Sequence, residues 1–587
     1  MTRFFSCVLA TLVLVAGLVR SAGAAEPDAL YRLVDRDAAL CMEFHDLERA
    51  LPAFWQSPWM ARIEQQPLYK AWRNSGDYQK LEAARTEIAR VAGKPVETLV
   101  ADLFGRSVLL VLTPAANKDE QTIGLLLTRT RSSEVLQAAI EAWNAAERQE
   151  TKPRKHAGLG YFVRTKAADD SKLYYATLGD TFVLSSDEAS VQQTLARQAT
   201  PLEQPSLLKD QNFLQALAEL PSTPVRVYIN PRRWDEAMHL NEAAAGSDPF
   251  GRAVAAGWKA CRSLTLGLHL EHGPVLEASL RYDSAESAAL WQEFVSRTQG
   301  SAEFLPLVPA DALVAFAGRT NFQWVEGVLK ALVKPDQPGW KQFRQVVKGL
   351  CLGQDPITQL LPQFEANWGM YLIPGLGNAD DAAPVDALIA WQIPHLELSP
   401  LAKPAEGKPS EFRKAIDNAL QAGLNFWAVV RNSEMDAETV IRSEDSTATT
   451  IRWLDHIGPY RPAYALTSDY LVLATSREAI DQFTQPSAAG MATTLAYQKL
   501  AKRYFPEANQ QLLVNVLQAR TLLQQRRPQL VRYVSSLNRL TPEQNDRRLT
   551  RLEELLQILD AGFIAGHLGS DRIRIVVGAV VDGDAKP

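Results

Sequence analysis

The chain has 587 residues, with 62 Lys+Arg against 67 Asp+Glu for a formal charge of −5, 46% hydrophobic and 22% charged residues, and four Cys. These proportions exclude a disordered chain, a collagen-like repeat, a disulfide-dense miniprotein and a polytopic membrane protein. At about 100 to 200 residues per domain the length implies several domains, each able to bury a core without metals or disulfides.

Residues 1–25 read MTRFFSCVLATLVLVAGLVRSAGAA: Arg3 gives a basic start, Phe4 to Val19 an apolar run, and Ala22-Gly23-Ala24 a small-residue cleavage pattern. This is the grammar of a secretory signal peptide occupying residues 1–24. The run falls short of the roughly 20 residues that span a bilayer comfortably, which favours cleavage over a retained anchor, the alternative. No second stretch approaches a transmembrane helix. An exported protein, periplasmic or extracellular, is expected. Its mild acidity is unsuited to nucleic acid, which requires clustered Lys and Arg.

From there the chain gives strand signals at 38–44, 107–113, 121–128, 160–165, 173–178, 181–184 and 224–229, and helical signals at 58–92, 132–148 and 208–219. Ser57-Pro58 opens the first helix as a cap with proline at its first position. Leu264, Leu266 and Leu268 alternate with Thr265, Gly267 and His269. After His272-Gly273, Leu276, Ala278 and Leu280 alternate with Glu277, Ser279 and Arg281. The pattern predicts a β-hairpin with its leucine face buried. Further helices are expected near 322–332, 410–423, 494–503 and 541–560, and Ile573, Ile575 and Val577 alternate as a last strand. Strands without regular βαβ alternation indicate an α+β fold with largely antiparallel, twisted sheets covered by helices.

Segments recur in the same order. Leu33–Ala38 matches Leu307–Ala312, Val111–Pro114 matches Tyr371–Pro374, Gly179–Leu184 matches Ser468–Leu473, Val225–Arg232 matches Leu513–Arg520, and Leu268–Leu270 matches Gly566–Leu568. Similar offsets in a common order point to an internal duplication, with modules at 25–303 and 304–587. One large α+β domain is the alternative. Ser185-Ser186-Asp187-Glu188 and Thr475-Ser476-Arg477-Glu478 both fit a capping box, with a one-residue slip between the copies.

Phrases such as Asp37–Leu47, Ser57-Pro58-Trp59, and the strand-into-helix segments at 173–195 and 464–483 resemble a group of exported bacterial proteins known only as a domain of unknown function, with recurring strand–helix modules. The resemblance implies a secreted α+β protein and carries over no catalytic residues.

The sequence contains no GxSxG, HExxH, Walker A loop or calcium loop. Ser206-Leu207-Leu208-Lys209 fits SxxK, but Ser206 reads more simply as a helix cap. His269 and His272 are three apart on a strand and so point to opposite faces, away from a shared metal. His269 and His567 do occupy matched positions. Cys41 reads as a buried small hydrophobe, and Cys261 with Cys351 is one conceivable disulfide. Trp55, Trp59, Trp72, Trp143, Trp291, Trp324 and Trp427 are expected in the core. Arginines at 526–551 suggest helices with a solvated basic face, or a docking surface for an anionic envelope component.

No catalytic, cofactor-binding or metal residue is assigned, and no cofactor is expected. The reading is an exported, non-enzymatic binding or scaffold protein whose partner is an envelope component or extracellular ligand. A carrier of lipid or another apolar ligand, and a hydrolase whose site forms only in space, are the alternatives.

Overall fold

The computed structural model describes residues 29–581 apart from 115–121, 148–149, 166–170, 202, 221–222, 236–255, 270–272, 286–288, 297, 333–337, 377–382, 395–408, 435–437, 446–448, 456–459 and 486–489. The signal-peptide segment, His239, His272, His395 and His456 lie outside the described residues. The chain divides into two compact units. One runs to Ala288 and takes in the segment from Asp571 onward, and the other is Ala289–Ser570.

The first unit contains β1 Leu40–His45, β2 Ser107–Thr113, β3 Ile123–Arg129, β4 Glu150–His156, β5 Leu159–Thr165, β6 Lys172–Leu178, β7 Thr181–Ser185, β8 Val225–Ile229, β9 Cys261–His269 and β10 Val275–Tyr282. Its sheet order is β4-β5-β6-β7-β3-β2-β1-β8-β9-β10, every neighbour antiparallel. The second unit contains β11 Val314–Arg319, β12 Asn367–Pro374, β13 Val385–Gln392, β14 Val440–Asp445, β15 Thr450–Asp455, β16 Ala463–Leu466, β17 Tyr470–Ala474, β18 Gln510–Asn515 and β19 Ala561–Leu568. Its order is β14-β15-β16-β17-β13-β12-β11-β18-β19, again antiparallel throughout. Strand for strand this is the order of the first sheet. The strand β20, Arg572–Val580, pairs with β10 and extends the first sheet.

The pairing registers make the correspondence residue-specific. Leu40 pairs with Leu112 and Ile229, and Val314 pairs with Leu372 and Val514, so these three positions correspond in turn. Continuing outward aligns Val183 with Val472 and His269 with His567. Four of the sequence matches share these registers. The fifth, Val225–Arg232 with Leu513–Arg520, is displaced by three residues, because strand pairing places Ile229 opposite the role of Val514.

Helices lie on both faces of the first sheet. Glu188–Ala199 and Gln211–Glu219 pack with Leu109, Val111, Leu127 and Val183 on one face, around buried Val191, Leu195, Phe213 and Leu217. Leu47–Trp55, Val96–Phe104 and Ser133–Glu147 cover Phe44, Val108, Leu126 and Phe182 on the other. Among the described residues no helix is long and apolar enough to cross a membrane.

Several local expectations are corrected. The stretch 58–92 forms three helices, Pro58–Gln65, Pro67–Arg73 and Gly76–Ala92. Pro67 fits a first-turn position but not a helix interior, and Ser75 starts a new helix by accepting from the Tyr78 amide at 3.3 Å. β4 was hidden because Glu150-Thr-Lys-Pro-Arg-Lys-His156 is polar with a central proline, a composition that suits an edge strand, which is where it lies. The caps after β7 and β17 are Asp187 and Ser476, accepting from the amides of Ser190 at 2.7 Å and Ala479 at 3.2 Å. These two caps share the register of Val183 and Val472, so the expected slip does not occur. Ser185 is not the cap because its hydroxyl donates across the sheet to the Gly124 carbonyl.

Candidate functional site

Antiparallel pairing places directly opposed residues on one face and alternates faces along each strand. Two adjacent rows therefore lie on opposite sides of the first sheet. One is Glu43, Arg226, Gly267, Glu277; the other is Leu110, Met42, Val227, Leu266, Ala278, Ile575.

The charged row is the more deeply buried. Glu43 and Glu277 are fully inaccessible, Arg226 is 4% exposed and His269 3%. Glu43 Oε2 accepts from the Tyr31 hydroxyl at 2.9 Å and lies 3.2 Å from Arg226 Nε. Burial, with the Glu43 carboxylate beside it, holds the Tyr31 hydroxyl well above its ordinary pKa, so it serves as a donor. Glu277 Oε1 accepts from Arg574 Nε at 2.6 Å, and its Oε2 lies 3.7 Å from His269 Nε2. The neighbouring Ser279 hydroxyl donates to Glu219 at 2.6 Å, and Arg281 also pairs with Glu219 at the end of helix Gln211–Glu219.

Gly267 sits between the two carboxylates because there is no room for more. A Cβ there would stand 2.9 Å from Thr223 Cγ2 and 3.5 Å from Leu220 Cδ2. The carboxylates are three strand spacings apart, roughly 14 Å, and each has its own guanidinium. The arrangement neutralises buried charge and holds β1, β8, β10 and β20 in register. Among the described residues no group of three His, Cys, Asp or Glu could hold a metal.

The apolar row is the more open one, which reverses the expectation for the β9–β10 hairpin. The hairpin forms, but its buried residues are Cys261, Ser263, Thr265, Gly267 and His269 on β9 and Val275, Glu277, Ser279 and, past a register shift, Tyr282 on β10. Leu264, Leu266 and Leu268 are half-buried, and Leu276 is 46% exposed. On β20, Ile575 and Val577 are 40% and 43% exposed. The polar face is buried because Arg574, Glu219 and Tyr31 give its polar groups partners and helix Gln211–Glu219 packs on it. Polar burial is tolerable only with such partners.

The corresponding positions of the second unit separate the two rows. The apolar row persists as Ile564, Leu512, Phe316, Met370, Ile389 and Leu473 across six strands. All six are half-buried or exposed, with Met370 37% and Ile564 38% accessible. The charged row becomes Ala317, Gln511 and Ala565, all buried. His567 is not buried as His269 is; its Nδ1 lies 2.8 Å from the Glu507 carbonyl.

Other sequence candidates fall elsewhere. Lys209 Nζ donates to the Gln204 carbonyl at 2.9 Å, and Ser206, buried, starts the short helix Leu207–Lys209 without a side-chain cap bond. Cys41, Cys261 and Cys351 are buried free thiols, so the conceivable Cys261–Cys351 bridge is not formed. Burial raises the pKa of all three. Trp55 and Trp427 are each 50% exposed and Trp72 40%, against the core expectation. Trp55 and Trp72 pack edge-on with neighbouring rings, Phe54 and Tyr78, at the periphery rather than inside. The rows themselves were within reach of the sequence, since the alternation of the hairpin names both; which row is buried was not.

Fold and rows together define an α+β protein of antiparallel sheets and helices in which an apolar row stays half-open, beside buried charge in the first unit. No protein-family model matches the chain, and neither a curated protein nor a solved structure does.

Proposed function

We propose that this is an exported, non-enzymatic binding protein of the cell envelope or extracellular space, and that its ligand is apolar, such as a lipid acyl chain. The observation that carries this reading is the inverted hairpin and its counterpart. In both units a continuous apolar row stays half-open while the row beside it, charged in the first unit and mostly alanine in the second, is buried. Leaving leucine, isoleucine and methionine accessible forgoes roughly 25 cal/mol for each Å² of apolar surface kept in water, a cost that a bound apolar ligand would recover.

Six strands at ~4.8 Å spacing give the second-unit row a length of roughly 24 Å. A single acyl chain spans about half of the ~30 Å hydrocarbon core of a bilayer, so the row is long enough for one. The kept row and the lost charges also support duplication of one ancestral module, with the charged ladder a specialisation of the first copy. Export rests on the basic start, apolar run and Ala22-Gly23-Ala24 pattern.

The test is titration with a lipophilic fluorophore and with long-chain fatty acid in competition. Wild type should bind saturably, and Met370→Asp with Ile564→Asp should weaken binding at least tenfold with an unchanged circular-dichroism spectrum. Absence of saturable binding, or variants that bind as wild type, would reject the apolar ligand. Cell fractionation with N-terminal sequencing checks export: recovery in the cytosol beginning at Met1 removes it.

A further inference from the structure

Residues 519–560 hold eight arginines, no lysine and five acids, a net +3 in a chain of net −5. They span most of helix Val516–Gln525, all of Arg527–Leu537 and all of Pro542–Leu556, within the second unit. The last two helices form a fixed pair. Arg527 donates to Asp546 Oδ1 at 2.7 Å and to Glu553 Oε2 at 3.0 Å, and buried Asn545 bridges to Ser535 and Asn538. The Tyr460 hydroxyl donates to Tyr533 at 2.6 Å, tying the pair to the body of the unit.

These contacts sort the charges of helix Pro542–Leu556. At 3.6 residues per turn, Asp546 and Glu553 lie together on the side facing Arg527, with Glu543 and Glu554 next to them on one side. Arg547, Arg548, Arg551, Leu552 and Leu555 share the remaining arc of roughly 140°. All five are exposed, Leu552 by 44% and Leu555 by 52%. Arg539 and the 68% exposed Leu537 lie at the connection leading into the helix. Arg547 attracts Glu543 one turn before it, and Arg548 and Arg551 turn further from the helix's acidic side. The helix is held in place by its inward face and by the Thr541–Gln544 capping box, so its outward face does not serve its own folding.

We propose that this outward arc docks the protein on the surface of an anionic lipid bilayer. Guanidinium groups match headgroup phosphates, and their aliphatic stems together with Leu552 and Leu555 suit the boundary between headgroups and acyl chains. An acidic protein would be repelled from such a surface over most of its area, so a segregated +3 segment orients the approach. The proposal does not depend on the apolar sheet face.

The experiment is co-sedimentation of the full mature chain with phosphatidylglycerol-containing vesicles and with neutral phosphatidylcholine vesicles at about 0.1 M salt. Binding is expected only to the anionic vesicles, with release at about 1 M salt, where the screening length falls to ~3 Å. Arg547→Gln, Arg548→Gln and Arg551→Gln together should lower partitioning about a hundredfold, at the worth of one basic residue near an anionic leaflet. Leu552→Ser with Leu555→Ser should lower it at least tenfold. All these side chains are exposed, so the variants should keep the wild-type circular-dichroism spectrum. Lys80→Gln, at an exposed cation outside this arc, should leave sedimentation unchanged, which separates the arc from a general effect of charge. Equal binding to neutral vesicles, an undiminished triple variant, or arginine-dependent binding to heparin without vesicle binding would overturn the proposal.

Discussion

Replacing Arg226 by Met isolates the energetics of the buried charged row. Glu43 is fully inaccessible; it accepts from the Tyr31 hydroxyl at 2.9 Å and pairs with the Arg226 guanidinium, whose Nε lies 3.2 Å away. Removing the guanidinium leaves the buried carboxylate without its nearest cation, a change that costs about 3–5 kcal/mol. Replacing the pair together, Glu43→Leu with Arg226→Met, removes the uncompensated charge and leaves the Tyr31 hydroxyl short of an acceptor, at about 1–3 kcal/mol. Adding Tyr31→Phe should bring the chain back close to wild type. The second unit already uses a neutral solution, Ala317 beside Gln511, on the same strand pair. The assay is urea unfolding at neutral pH followed by circular dichroism: with a slope near 3 kcal/mol per molar, Arg226→Met should lower the midpoint by roughly 1 M or more. A single variant within about 1 kcal/mol of wild type, or a double variant as damaged as the single, would refute the account of Glu43 as a charge dependent on Arg226.

Gly267→Ala should destabilise by about 1–3 kcal/mol because its methyl meets Thr223 Cγ2, and adding Thr223→Ser should recover at least half, read by thermal melts. In the second unit, burial acts to raise the pKa of Asp417, but the bidentate bonds from Arg452 at 3.0 and 3.1 Å and the Tyr464 hydroxyl at 2.6 Å outweigh it and hold it below the usual carboxylate range. Its stabilisation is complete above the ordinary Asp pKa of about 4 and is lost as pH falls through the depressed folded value; Asp417→Asn should flatten that part of the acid-unfolding profile, and an unchanged profile would contradict it. Cys41, Cys261 and Cys351 should react slowly with a thiol reagent at pH 8 in the native protein and quickly in guanidinium; rapid native labelling of Cys41 would contradict its burial.

Much of the strand pattern was legible because period-two alternation and turn residues are local signals. Ser107–Thr113 appears at its expected bounds, and Leu264 to Tyr282 forms its hairpin. Four of the five internal matches follow the pairing registers; three rest on strands, and Leu33–Ala38 with Leu307–Ala312 leads directly into β1 and β11. The β8 and β18 match slipped by three residues because Val225–Ile229 and Gln510–Asn515 share little beyond apolar character. What could not be read was which face each strand turns inward. Alternation marks two faces; the inward one is chosen by partners far away in sequence, such as Tyr31 for Glu43, Glu219 for Ser279 and Arg574 for Glu277. Volume exchange hides in the same way. Gly369 leaves room for the Phe304 ring, whose Cδ1 would lie 1.9 Å from an added Cβ, where the first unit sets Leu109 and Leu30 in the corresponding places. Helix Pro409–Glu434 outran its expected end at 423 because Leu424 and Ala428 find Leu454 and Tyr464 to pack against.

The pairing of β20 with β10 has a consequence for biogenesis. Arg572–Val580 emerges from the ribosome nearly 300 residues after its partner strand, so the unit synthesised first is completed last. Until then Val275–Tyr282 presents an unpaired edge, and Glu277 waits inside without its guanidinium. Closing so long a loop is slow, which keeps the early unit incomplete for much of synthesis.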